Sequence, residues 1–353
     1  VIVRHLIRCR TSFVKGDFIM LPKEYFGHPG QVFGVEEYLL QGGKGNGMRF
    51  FFIRNGLGME LSVSADRCAD ISRLTLDGKN LSYTSPCGQV SPTYFSPGPD
   101  GFGFLKSFNC GFLTTCGFDN IGVPNTDGGT PLGLHGSFSS LPADPIYYTE
   151  NEKAIEIHAV IRDQVIFGRK FTLNRTISCS LEENSFTVTD QVTNEGSAPE
   201  PCMLLYHMNL GYPLLSETAR LHINSSEVIP RDARAAEDLD TWNQIIPPTP
   251  GFEEQCYYHR FREKTGKLSL FNAAIEKGIQ ITFSTEDFPQ ITQWKMMGER
   301  DYVLGLEPCT NTLEGRSEIR RRKELPLLPP GESRTFSVQV KLFNSSSQWE
   351  ASL

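Results

Sequence analysis

The sequence predicts an all-β protein, built as a large sandwich or barrel. Short runs rich in β-branched and aromatic residues recur from end to end, punctuated by 32 glycines and 22 prolines. Helical periodicity is scarce throughout. In chain order the runs fall at residues 48–54, 59–63, 154–161, 171–178, 185–193, 219–223, 268–271, 278–284 and 335–341. Thr-rich alternation, as in SFTVTDQVT at 185–193, suits a half-buried antiparallel strand. The proline-rich stretches 247–250 and 325–330 read as surface connections. No composition break marks a linker and no fixed-period repeat occurs. Residues 20–353 are therefore expected to form one domain, preceded by an N-terminal extension over residues 1–19.

Composition narrows the function. The 353 residues are 39% hydrophobic and 21% charged, ordinary values for a soluble protein with a full core. A formal charge of −7 argues against nucleic acid, which needs a concentrated basic face. The one basic run, 316–323, is interrupted by Glu318 and followed by Glu324, and reads as a solvated loop. No apolar run approaches the ~20 residues of a membrane span. The basic start lacks a signal peptide's continuous apolar stretch and small-residue cleavage site. Nine scattered cysteines without a CxxC pair suggest neither a disulfide framework nor a zinc site, and reduced thiols point to the cytoplasm.

Five stretches break the pattern in ways that suggest a site. In LLYHMNLGYPLL, residues 204–215, an apolar strand carries a polar pair, His207 and Asn209. Residues two apart share a face, so the two side chains project together, with Tyr206 and Met208 on the other side. In VLGLEPCTN, residues 303–311, Glu307 follows an apolar run, where a carboxylate is a candidate general base. Residues 88–136 are dense in Gly, Pro, Phe and Asn and read as a packed cover over part of the sheet. This cover ends in LHG, where Gly136 lets His135 sit in a tight turn. In DRCADI, Arg67 and Asp70 are charges between β-like runs, suited either to grip a polyhydroxylated ligand or to pair with each other. Trp294, one of three tryptophans, suits core packing or stacking on a sugar ring.

Taken together, DRCADI, LTTCGFDN, LHG, YHMNLGYPLL and LGLEP resemble the galactose mutarotase-like superfamily, in particular an aldose 1-epimerase-like branch, over roughly residues 31–342. The resemblance implies a β-supersandwich of mostly antiparallel strands with a sugar site on a concave face. It also implies His207 as general acid, Glu307 as general base, and His135 and Arg67 as substrate-binding groups. The family's sugar-binding aspartate has no clear counterpart here; Asp238 and Asp240 are the candidates.

Anomer interconversion requires a proton taken from the anomeric hydroxyl and another given to the ring oxygen. Glu307 and His207 on opposite sides of the ring suit that task, with a neighbouring carboxylate raising the imidazole pKa. His135, Arg67, Asp70, Asn120, Asn209 and Trp294 are expected to hold the sugar. No cofactor is required, and the expected partner is a small-molecule sugar; a homodimer is left open. Two alternatives stand beside this reading. One is a metal-dependent sugar isomerase or lyase using His135, His207 and Glu307. The other is a carbohydrate-binding protein that keeps the fold without catalysis.

Overall fold

All nine runs read from the sequence lie in strands of the computed structural model, which describes residues 23–353. The expected 1–19 extension lies outside the described residues. The strands make three main sheets, all antiparallel in their pairing. An eight-stranded sheet runs from Ala143–Glu150 at one edge to Ala219–Ile223 at the other. A six-stranded sheet takes the spatial order Glu227–Pro230, Gln255–Arg260, Gln290–Met297, Tyr302–Cys309, Met203–Leu210, Leu113–Phe118. A five-stranded sheet covers Gly34–Leu39 to Lys79–Asn80. The architecture is the β-sandwich that the sequence predicts.

The sheets pack through one apolar core. Ile157, Leu173, Val188, Ile281 and Val338 of the eight-stranded sheet meet Leu204, Tyr206, Met208 and Leu306 of the six-stranded one. Burying each such side chain is worth ~1.5–3 kcal/mol, enough in sum to pin the strand register. A one-residue slip of Met203–Leu210 would turn His207 and Asn209 into this core.

Several strands escape alternation. Gly34–Leu39 and Ala143–Glu150 are largely exposed sheet edges, while Gln255–Arg260 is buried on both faces. The basic run is not a loop: Arg316–Arg321 is a short helix that buries Ile319 and pairs Arg316 and Arg320 with Asp127.

The 88–136 segment does cover the sheet, although Leu113–Phe118 within it is a fully buried strand. Phe104 and Phe108 pack with Cys116, Met203, Leu205 and Cys309 in a second apolar cluster on the face away from the main core. That face carries the candidate site.

Candidate active site

The register of two central strands builds the site. Leu205 pairs with Cys309 and Met208 with Leu306, which sets position 207 opposite position 307. Tyr206 and Leu306 face the main core, so His207 and Glu307 share the other face. His207 Nδ1 lies 3.3 Å from Glu307 Oε1, and the residues are only 4% and 1% exposed. Gly305 makes this possible: a Cβ there would overlap Glu307 Oε1 and lie 3.1 Å from the Trp294 Cβ. Trp294, paired with Gly305, meets the His207 ring edge-on at 5.4 Å and donates its Nε1–H to Glu254 at 2.8 Å.

His135 arrives from the cover. Its φ of 57° and that of Gly136, 69°, form a left-handed turn that swings the imidazole inward. The Ile121 carbonyl, 2.8 Å from Nδ1, can only accept, so Nδ1 carries the proton and Nε2 is the free end. The ring stands edge-on to His207 at 5.4 Å, and Phe108 closes over His207 at 4.9 Å.

Asn209 orders the histidine. Its amide donates to the His207 carbonyl at 2.9 Å, which leaves Oδ1 to accept from His207 Nδ1–H at 2.6 Å. Nε2 is thereby the proton-transfer end. Glu307 Oε1 is close to Nδ1 but buried without a hydrogen bond, because that proton already points at Asn209.

Burial dominates the electrostatics. Desolvation, reinforced by Glu254, holds the Glu307 carboxyl well above its usual pKa, with Arg231 opposing. Desolvation also holds His207 well below the ordinary imidazole value; His135 adds to this, and the Asn209 bond opposes it. The sequence-level expectation of a raised His207 pKa is therefore corrected. A carboxyl that burial keeps protonated has no charge with which to stabilise an imidazolium. His135 is lowered to about 4, also by burial.

Comparison with known proteins places this arrangement in a family. Residues 45–342 match a domain of unknown function, DUF4432. The chain belongs to the DUF4432 family. Its fold is galactose mutarotase-like. A putative aldose 1-epimerase from Klebsiella pneumoniae is similar with a TM-score of 0.85 and 27% identity, over 90% of this chain and 85% of that one. A galactose mutarotase-like protein from Clostridium acetobutylicum gives 0.66 at 13% identity, over 89% and 99%. A galactose 1-epimerase from Lactobacillus acidophilus NCFM gives 0.59 at 12%, over 89% and 99%. No curated protein matches the chain.

In this DUF4432 chain the other expected site residues divide. Asp70 accepts from the Thr115 backbone (2.9 Å) and hydroxyl (2.6 Å) and from Arg175 (2.7 Å). Arg175 continues to Asp190, which also accepts from the Tyr206 hydroxyl, so the Asp70 carboxylate belongs to a buried network behind the site. The Asp70 backbone N–H donates to the Arg67 carbonyl at 2.8 Å, but no side-chain bond joins the two among the described residues. Arg67 donates to the Val90 carbonyl at 3.0 Å and keeps Nη2 buried and unpaired. Asn120 donates to the carbonyls of Gly122, Val123 and Gly133 and accepts from Asn125 and Arg316, so it organises the cover. Asp238 is held by Arg234 and Gln255, in line with Lys295 rather than Trp294, on the opposite face.

The carboxylate that does sit beside the site is Glu254, joined to Trp294 and, at 3.1 Å, to Arg231. Sequence reasoning passed over this pair, because neither residue breaks a pattern; only the strand pairing of Cys256 with Trp294 brings them in. Among the described residues no three His, Cys, Asp or Glu side chains are grouped to hold a metal ion, and no helix is long and apolar enough to cross a membrane.

Proposed function

We propose that the chain is an aldose 1-epimerase-like enzyme that interconverts the anomers of a sugar through His207 and Glu307. The observation that carries this reading is the contact itself: a histidine and a carboxylic acid 3.3 Å apart on one sheet face, both removed from water. The anomeric oxygen and the ring oxygen are bonded to one carbon, so an acid and a base side by side suit them. The sequence alone suggested groups on opposite sides of the ring; the contact replaces that arrangement.

The uncharged pair, carboxyl with imidazole, and the charged pair, carboxylate with imidazolium, hold the same number of protons. Burial favours the uncharged pair at rest. In that state the His207 Nε2 lone pair takes the anomeric proton while Glu307 gives its proton to the ring oxygen. The bond from C1 to the ring oxygen breaks, and the open-chain aldehyde forms. After rotation about C1–C2, Glu307 as carboxylate takes the proton of the attacking hydroxyl, and His207 as imidazolium returns one to the carbonyl oxygen. Glu307 as base and His207 as acid, the roles implied by resemblance, thus describe ring closure. Each proton-transfer partner is worth ~10²–10⁴-fold in rate. Phe104 packs on His135 and Phe108 on His207, a cover that keeps water from the pair. To His135 Nε2, Asn209, Arg67 and Trp294 we assign the holding of hydroxyls and a ring face.

Anomer-exchange NMR on a panel of free aldoses tests the proposal. Exchange accelerated by the wild-type chain supports it, whereas saturable binding without acceleration points to a binding protein instead.

A further inference from the structure

A cleft of about 560 Å³ has Arg73, Arg300, Tyr83, Tyr212 and Gln89 among its walls and no acidic residue lining it. Among the described residues, Arg73, Arg262 and Arg300 are the arginines whose guanidiniums make neither an ion pair nor a hydrogen bond; the others are all engaged. Two of those three face one cleft, in a chain whose net charge is −7.

Irregular backbone delivers both. In the five-stranded sheet Ser62 pairs with Arg73 but Val63 pairs with Ile71, which leaves Ser72 as a bulge. Consecutive strand residues normally face opposite ways; the bulge lets Ser72 and Arg73 line the same cleft. Arg300 holds a left-handed φ of 68°, and its carbonyl accepts from the Tyr83 hydroxyl at 3.3 Å. A non-glycine residue in that region is held at a cost by its surroundings. Asp301 lies on the Tyr83 side.

We propose that this cleft is a second carbohydrate site, taking a saccharide that bears an oxyanion such as phosphate, sulfate or carboxylate. Two uncompensated guanidiniums present the fork that matches an oxyanion. The Gln89 amide, whose oxygen already accepts from Asn109, leaves N–H donors for hydroxyls, and Tyr83 and Tyr212 offer ring faces. A smaller cavity of about 240 Å³ shares Ser72, Arg73 and Gln89 and adds Tyr38 and Phe52. The site is separate from the acid–base pair. Tyr302 lines the cleft five residues before Glu307 on the same strand, roughly 16 Å away at ~3.3 Å per residue.

Calorimetric titration of the full chain with glucose 6-phosphate, glucose 6-sulfate, glucuronate, glucose and inorganic phosphate tests this. At least one anionic sugar is expected to bind saturably, equally in wild type and in His135→Ala, which lacks a sugar-holding group of the first site, and roughly tenfold or more weaker in the Arg73→Ala/Arg300→Ala double variant. Both arginines are exposed, so an unchanged melting temperature verifies that variant's fold. No binding by any anionic sugar, unaltered binding in the double variant, or equal affinity for phosphate alone overturns the proposal. Loss of binding in His135→Ala overturns the separateness of the two sites.

Discussion

His207 and Glu307 meet across adjacent antiparallel strands with Nδ1 and Oε1 3.3 Å apart, although a hundred residues separate them along the chain. Neither side chain is turned to solvent, and each is held in its uncharged form by that burial. The first three predictions concern this contact.

Glu307→Gln keeps the shape of an uncharged carboxyl and removes its proton. Anomer exchange is expected to fall by about 10²–10⁴-fold while sugar affinity stays near wild type. Wild-type turnover by this variant would take Glu307 out of the chemistry.

The pH profile follows from the depressed His207 pKa. An imidazole with an ordinary value of 6.5 protonates below that pH, whereas His207, held well below it, stays ready to accept a proton. Activity is therefore expected to persist below pH 6.5, where an ordinary imidazole would already be protonated. Asn209→Asp puts a carboxylate where the Oδ1 acceptor sits at 2.6 Å, stabilises the imidazolium, and moves the acid limb to higher pH. An acid limb at the same pH in both proteins would show that Asn209 does not tune the ring.

Gly305→Ala places a methyl group against Glu307 Oε1. The carboxyl end is flexible and yields, so the protein is expected to fold while kcat falls by roughly 10²-fold with little change in KM, the cost of a misplaced catalytic group. Steady-state kinetics beside a thermal melt separates this from plain destabilisation.

Asp70→Ala is expected to read out as stability. Arg175 is fully buried between Asp70 and Asp190, and removing one partner of such a pair costs about 3–5 kcal/mol. Chemical denaturation measures the loss. A normally stable variant with a raised KM would instead return Asp70 to sugar binding.

His259, buried between Ser225 and Gln293, has its pKa lowered to about 4. The unfolded chain takes up this proton below 6.5 and the folded chain only near 4, so protonation favours unfolding between those values. The contribution is present above the unfolded pKa and lost as pH falls. From about pH 7 to about pH 5 the wild type should lose about 2 kcal/mol relative to His259→Gln, measured by denaturation at both pH values.

Much of this protein was legible in one dimension. Alternation in LLYHMN marks a strand and puts His207 and Asn209 on one face, because side-chain direction in a strand is a local property with a period of two. LHG marks a tight turn for the same kind of reason, since a left-handed backbone is a residue-level demand that the glycine meets.

What lay beyond the sequence is whatever depends on pairing across space. The partner of Glu307 is set by a register between strands far apart in the chain, and the place of Glu254 by another. Asp70 and Arg67 look alike in DRCADI, yet one is bound into the Arg175 network and the other keeps a free donor. The direction of the His207 pKa shift also waited on the fold. Residue type supplies a carboxylate and an imidazole, but whether attraction or desolvation wins depends on how completely water is excluded from them, and only tertiary packing determines that.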